Sequence, residues 1–528
     1  MTTLRRRSFR RLVPRSGGAP SAPRHVRNVL ANWTAFLFGA VASFFVAPFV
    51  VHRLGDAGYG AWVLLGSMVG YLGLLDLGVR GAIMRFISRL HASHDHDEAS
   101  RFASAGLRIF GITSIVAVLA GAALATSLDR VFHLPPALLQ QARIAVVLSS
   151  ITIAASLLTG VYGGIVTAMQ RFDLVSLTEL SIEAGRVVAV VLALRAGFGI
   201  VALAAIQLCC GVTRLGVSYV LSRRLYPELT IVRGRWSGRH LRQILGFSLA
   251  STALHGAAVV ILQLDSIVVG AFLPIAMVTY FSIAGTLSHY GKAVVDGIST
   301  TMTPRVSALE GAGDLDGARR AALRGARIAT LVHLPIVVTF LLRGETFIGL
   351  WMGHAYAEPS GHVLRILSLA YWLLAGRQIM VSTMMGLSRH KAVVPVAWLE
   401  ALLNVGLSVT LVRTLGIEGV AWGTTIPYLL MTVAVYPILF SRALGVSVVA
   451  TWREVWLRPT FAVIPFGFAS YAVDRWVHAD SLLVFFAQVA SVLVLALVGA
   501  WLVALDPLER RALAERLPPR LRVPALTK

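Results

Sequence analysis

Fourteen apolar runs, each close to the 20 or so residues that a helix needs to cross a bilayer, divide the chain at short polar intervals. They cover residues 30–51, 61–84, 107–127, 143–166, 175–195, 200–221, 244–271, 277–303, 328–350, 361–386, 393–414, 419–440, 458–477 and 482–505. Unpaired backbone groups cannot be left in lipid, so spanning runs of this length are helices. The pattern predicts an all-α polytopic membrane protein with about fourteen transmembrane helices.

Composition agrees and charge adds direction. Apolar residues make up 56% of the 528 and charged ones only 14%, with a mean hydropathy of +0.74, whereas soluble domains carry about 25% charged residues. The net charge of +23 is dispersed over short connections, which points to topology and anionic lipid headgroups rather than nucleic acid. Basic residues alternate between rich and poor connections. The rich set includes Arg5 to Arg27 in the N-terminal tail, Arg85, Arg89 and Arg101, Arg223 to Arg242, Arg305 to Arg324, Arg389 and Lys391, Arg442 and Arg453, and the C-terminal tail. The opposite connections hold isolated arginines such as Arg53, Arg130 and Arg475. Both termini are therefore expected on the cytoplasmic side.

The charges also repeat. Asp76 and Asp296 are offset by 220 (296 − 76), as are Arg85 and Arg305 (305 − 85); Arg108 and Arg327 differ by 219, and Arg171/Arg389 and Arg195/Arg413 by 218. Six helices per copy is an even number, so two six-helix lobes in parallel repeat are expected, related by an axis along the membrane normal, with two more helices at the end. The expected division is a basic cytoplasmic tail at 1–28, lobes at 29–222 and 244–440 joined by a basic linker at 223–243, two extra transmembrane helices within 441–505, and a basic cytoplasmic tail at 506–528.

Several short motifs carry no chemistry. Arg6-Arg7-Ser8-Phe9 is similar to a twin-arginine signal, but a run of about twenty apolar residues follows with no small-residue cleavage site, so the tail reads as uncleaved. Cys209 and Cys210 are adjacent in an apolar run and read as packing residues. His91, His94, Asp95, His96, Asp97 and Glu98 have metal-like composition but occupy a short polar connection. Gly291-Lys292 lacks the glycine spacing and the following Ser or Thr of a phosphate-binding loop. No metal, ATP site or other cofactor is expected.

The stretch from Leu54 to Leu90 resembles a known family. Leu54-Gly55, Tyr59-Gly60-Ala61-Trp62, Leu74-Leu75-Asp76-Leu77-Gly78 and Arg85-Phe86 resemble the second transmembrane helix of polysaccharide and lipid-linked oligosaccharide flippases (Wzx-like) of the multidrug/oligosaccharidyl-lipid/polysaccharide exporter superfamily. Met169 to Leu174 is similar to the tight turn between helices four and five of these exporters. The resemblance implies a flippase of the bacterial cytoplasmic (inner) membrane, not an enzyme, moving a polyprenyl-diphosphate-linked oligosaccharide for surface polysaccharide such as lipopolysaccharide, with polysaccharide assembly proteins as partners. A cation-coupled multidrug exporter of the same superfamily is the alternative, with Asp76, Asp265 or Asp296 carrying a proton or Na⁺. A membrane polymerase or ligase ranks below both, because the longest outer connections, 344–360 and 128–143, offer few acid/base groups.

Charged residues inside the runs are the candidate site, since each costs roughly 2.5–3.5 kcal/mol at the bilayer centre unless paired or hydrated. They are Asp76, Arg80, Glu179, Glu183, Arg186, Asp265, Lys292, Asp296, Arg377 and Glu400. Asp76/Arg80 and Lys292/Asp296 at i,i+4 and Glu183/Arg186 at i,i+3 share helix faces and can neutralise each other. Arg377 has no acid within a helical turn, which makes it the leading anion contact, followed by Arg186 and Lys292, with Arg80 also a substrate candidate. Arg377→Glu is accordingly expected to abolish transport while leaving insertion intact. Tyr290, His289, Gln263, Tyr371 and Trp372 are candidate walls for a sugar.

Overall fold

The computed structural model of the chain describes residues 22–132, 134–231, 238–506 and 509–510. Most of the expected basic tails, and the middle of the linker at 232–237, lie outside the described residues. Among the described residues there is no strand. The helices are α1 (Ala22–Gly70), α2 (Val79–Ala92), α3 (His96–Val131), α4 (Pro136–Ala168), α5 (Phe172–Arg195), α6 (Ile200–Leu225), α7 (Gly238–Phe272), α8 (Ala276–Gly311), α9 (Leu315–Met352), α10 (His354–Tyr371), α11 (Leu374–Gly386), α12 (Val394–Leu430), α13 (Tyr436–Leu444), α14 (Val448–Trp452), α15 (Arg458–Trp476) and α16 (Leu482–Gly499).

Eight described helical stretches are long and apolar enough to cross a membrane, or nine when α10 and α11, bent by 44°, count as one span. Phe38–Ala92 and His390–Leu444 are 55 residues each, too long for one crossing. Each is interrupted by a glycine at positive φ, Gly55 (69°) and Gly416 (61°), where a side chain would be strained. α5, α8 and α15 are less uniformly apolar, because charged and polar residues recur along them. With the two long stretches divided at their glycines, the helices correspond to the fourteen apolar runs.

The repeat seen in the charges is also written in the backbone. Left-handed residues recur at His94 and Gly313, at Gln170 and Ser388, and at Gly197 and Gly416, offsets of 219, 218 and 219. Asp95 caps α3 by accepting from the Glu98 amide, and Asp314, at the matching position of the second copy, caps α9 by accepting from the Gly317 amide. A capping carboxylate satisfies an amide that the helix start leaves open, so each copy begins its third helix in the same way.

One expected helix is not continuous. The run at 61–84 passes into a 3₁₀ segment at Tyr71–Asp76, then through Leu77 (φ 50°) and Gly78 (φ 69°), before restarting as α2. Gly66, Gly70, Gly73 and Gly78 lower helix propensity along this stretch, and a left-handed leucine costs about 1–2 kcal/mol. The break separates Asp76 from Arg80, so they do not share a continuous helix face.

α1 packs against α7 and α8, and α2 against α7. At the Gly55 end, the Thr279 hydroxyl donates to the Asp56 carbonyl (2.6 Å), Tyr280 to Asp56 Oδ2 (3.1 Å) and Tyr356 to Asp56 Oδ1 (2.6 Å). Gly60 makes this approach possible, because a Cβ there would sit 2.2 Å from the Ile275 carbonyl oxygen. Gly60→Ala should therefore prise this end apart. A thiol introduced as Thr279→Cys should react several-fold faster with a water-soluble maleimide in the Gly60→Ala background; unchanged reactivity would show that the contact does not close this end.

The C-terminal helices are fastened by charge. Arg327 on α9 donates to Glu454 (2.8 Å), Asp506 (3.1 Å) and Glu509 (2.5 Å), and Arg458 donates to Glu454 (2.7 Å) and Asp506 (3.0 Å). Glu454 lies in a π-helical turn at Arg453–Leu457, a bulge that redirects side chains relative to a regular helix.

Candidate functional site

The break in the second span opens a polar cavity of about 480 Å³. Asp76 and Arg80 line one side, Ser156 on α4 another, and Thr252 and His255 on α7 the third. Arg80 lies 3.6 Å from Asp76 with 53% of its side chain exposed, and also donates to the Ser156 carbonyl at 3.3 Å. That geometry leaves most guanidinium donors directed at open space. Thr252 Oγ1 is buried with no partner among the described residues. A guanidinium, a half-helix start and an unpartnered hydroxyl around one cavity form an anion-binding arrangement.

The other candidates are dispersed. Lys292 Nζ reaches Asp296 Oδ2 at 2.6 Å, and Asp296 Oδ1 accepts from Gln378 on α11 at 3.0 Å, so this pair also ties α8 to α11. Arg186 pairs with Glu183 through two hydrogen bonds, and Arg214 with Glu179 at 2.8 Å through both Nε and Nη2. Asp265 is buried and accepts from Thr424 at 2.9 Å on both oxygens; Asn404 donates to the same Thr424 at 2.8 Å and leaves its own Oδ1 unpartnered. These carboxylate, hydroxyl and amide oxygens suit a proton or a hard cation such as Na⁺.

Arg377 is not the free cation that its own helix implied. It donates to both oxygens of Glu400 on α12 (3.0 and 2.7 Å) and to Tyr436 (3.1 Å), with Tyr428 and Tyr436 rings each 4.2 Å from its guanidinium carbon. The side chains are 12% and 3% exposed. The partner stands on a different helix, so helical spacing within α11 could not reveal it.

The proposed sugar walls also divide. Tyr290 lines an apolar groove, Gln263 packs across Gly70, and Trp372 donates to Thr460 on α15 at 3.0 Å. Tyr371 lies within electrostatic reach of Asp265 and Asp296. The metal-like cluster is an inter-segment tie: His96 meets the Tyr226 hydroxyl at 2.8 Å, and Glu98 holds Arg239 and His240 at 2.9 Å each. Burial, then Glu228 and Asp95, push the Tyr226 phenol up.

Sequence reasoning missed a groove of about 690 Å³ between α1, α8, α9 and α16, larger than the cavity at Arg80. Its walls include Phe44, Phe45, Leu287, Phe340, Phe485 and Phe486. The paired phenylalanines at 44–45 and 485–486 are the signal that was available.

Apolar helices long enough to cross a bilayer, broken spans and a cavity within the bundle make this a multi-pass, all-α membrane protein. The fold matches the lipid II flippase MurJ in an inward closed conformation (TM-score 0.68, 12% identity, 90% of this chain and 98% of that one). It also matches an inward-facing multidrug resistance MATE family transporter of the MOP superfamily (TM-score 0.67, 16% identity, 80% and 98%). A family model described as "Polysaccharide biosynthesis protein" matches residues 94–361, more than half of the chain, and the chain belongs to that family. It is similar to the "Uncharacterized membrane protein EpsK" of Bacillus subtilis (strain 168), 23% identical over 433 residues, 79% of this chain and 83% of that protein. It is also similar to the "Putative O-antigen transporter" of Shigella flexneri, 20% identical over 408 residues, 75% and 93%.

Proposed function

We propose that the chain is a flippase that carries a polyprenyl-diphosphate-linked oligosaccharide from the inner to the outer leaflet of the bacterial cytoplasmic membrane, with both termini cytoplasmic. The observation that carries this reading is the presence, in one bundle, of a cavity of about 480 Å³ that holds the half-exposed Arg80 and a nearly uniform apolar groove of about 690 Å³. An amphiphile with an anionic head and a long hydrocarbon tail needs both. The diphosphate takes Arg80, with Thr252 and His255 facing it from α7, and the tail takes the phenylalanine-lined groove. The family description and the O-antigen name of one relative support a saccharide cargo. Lys292 and Arg186, being paired, serve the path of the substrate less directly than Arg80. Anionic lipids at the basic connections and polysaccharide assembly proteins complete the expected surroundings. Flux of a fluorescent lipid-linked sugar in proteoliposomes tests the reading, and a rate equal to that of empty vesicles removes it.

The oxygen cluster at Asp265 favours cation coupling, which a multidrug exporter of the same fold would share. Asp265→Asn keeps the Thr424 contact but removes the charge, so it should lower Na⁺- or proton-driven flux about tenfold, a coupling worth about 1.4 kcal/mol. Flux in the variant that still follows the cation gradient would take the coupling role away from Asp265. Export of hydrophobic cations without any lipid-linked sugar flux would favour the exporter.

A further inference from the structure

We infer that the cavity between α5 and α6 is a binding site for the glycan portion of the substrate, an inference that rests on the flippase reading. The cavity holds about 510 Å³ and is bordered by Thr178, Ser181, Arg186, Cys209, Cys210 and Thr213. That volume is within the range of about 300–1,000 Å³ usual for small-molecule sites. Arg186 lines it, neutralised by Glu183 on the same helix, and a second pair, Arg214 with Glu179, ties α6 to α5 beside it. Cys210 lies within electrostatic reach of Arg186, Arg214 and Glu183. The four side chains are 27–44% exposed, although the sequence places them inside transmembrane runs. Ionised groups at that depth pair with one another or face water or a polar ligand, and the exposed parts of these pairs are left to the latter.

The chemistry of the cluster suits a polyol better than a phosphate. Both arginines here are held by a carboxylate at hydrogen-bond distance, whereas Arg80 stands 3.6 Å from Asp76, so the diphosphate meets the less committed guanidinium at Arg80. Each arginine spends Nε and Nη2 on its carboxylate and keeps its Nη1 donors. Each carboxylate retains acceptor sites, since two oxygens offer about four. Donors and acceptors held side by side match the vicinal hydroxyls of sugars, and the ion pairs fix them in place. Thr178 and Ser181 donate to backbone carbonyls at 2.8 and 2.9 Å and present their oxygens as acceptors.

The protein's only two cysteines border this cavity, and Cys209 is exposed, so the native chain carries its own probe. The full chain in nanodiscs, open to both sides, would be labelled with a charged maleimide. The competitors are the lipid-linked oligosaccharide fraction from the source membranes and the polyprenyl diphosphate left when mild acid hydrolyses the glycosyl bond and releases the glycan. Glycan occupancy at ten times Kd should slow Cys209 labelling about tenfold, with no slowing by the stripped lipid. The neutral pair Glu183→Gln/Arg186→Gln, which retains an amide contact and removes the charge of Arg186 that lines the cavity, should lose that protection. Cys209 refusing the charged reagent until the protein is denatured would show that the cavity faces hydrocarbon and would overturn the inference. Equal slowing by the stripped lipid, no slowing, or full protection in the neutral pair would also overturn it. Wild-type flux measured on the same preparation separates the outcomes: flux without protection sinks the glycan site alone, and absent flux sinks the flippase reading.

Discussion

Arg377→Glu is expected to remove the folded protein from the membrane, not only its transport. The guanidinium is gripped at both oxygens by Glu400, bonded to Tyr436 and stacked between two tyrosine rings. Breaking a buried pair strands the remaining charge at a cost of about 3–5 kcal/mol, a large part of the roughly 5–15 kcal/mol that holds a typical domain together. Reversal is worse than truncation, because it sets two carboxylates face to face where screening is weak. Monodisperse yield after detergent extraction should collapse for Arg377→Glu and for Glu400→Ala. It should recover in part for the swap Arg377→Glu/Glu400→Arg. Arg377→Lys keeps the charge and loses the fork, so it should fall between them. Normal yield with lost flux would instead restore Arg377 to the role that its spacing implied, a contact with the substrate.

Arg80→Glu is expected to do the opposite, leaving yield near wild type while flux falls about a hundredfold, the loss of two charge-assisted bonds at about 1.5 kcal/mol each. Arg80 is half exposed and its tie to Asp76 is a 3.6 Å contact, which screening makes worth at most about 1 kcal/mol. Little folding energy therefore depends on it. Arg80→Lys should retain part of the flux. Flux in proteoliposomes, normalised to incorporated protein, checks both variants; undiminished flux in Arg80→Glu would mean that the diphosphate does not enter this cavity.

The two arginines show where sequence stops. Runs of apolar residues and a charge repeat are local or periodic signals, and they carried the helices and an offset near 219 that returns as 218 and 219 in the left-handed turns. The motif glycine Gly60 was visible but its reason was not, because Ile275, which approaches it, belongs to the other lobe. Arg377 looked unpaired for the same cause: helical spacing reports neighbours on one helix, and Glu400 lies on the next. The break at Leu77–Gly78 had only scattered glycines to announce it. It nevertheless opens the cavity at Arg80, so the candidate residue was named while the geometry that exposes it was hidden. The groove lay unread because phenylalanine pairs in apolar runs are ordinary packing until a gap is seen beside them.

In the proposed function one substrate molecule spans the Arg80 cavity and the apolar groove. The most direct measurement is flux of the native lipid-linked oligosaccharide by the purified chain in proteoliposomes, for wild type, Arg80→Glu and a groove-filling variant, Val294→Trp. Wild type should accelerate flux over empty vesicles, and both variants should lose that acceleration at normal yield. Wild-type acceleration that survives both substitutions, or none at all beside active export of hydrophobic cations, would contradict the proposed function.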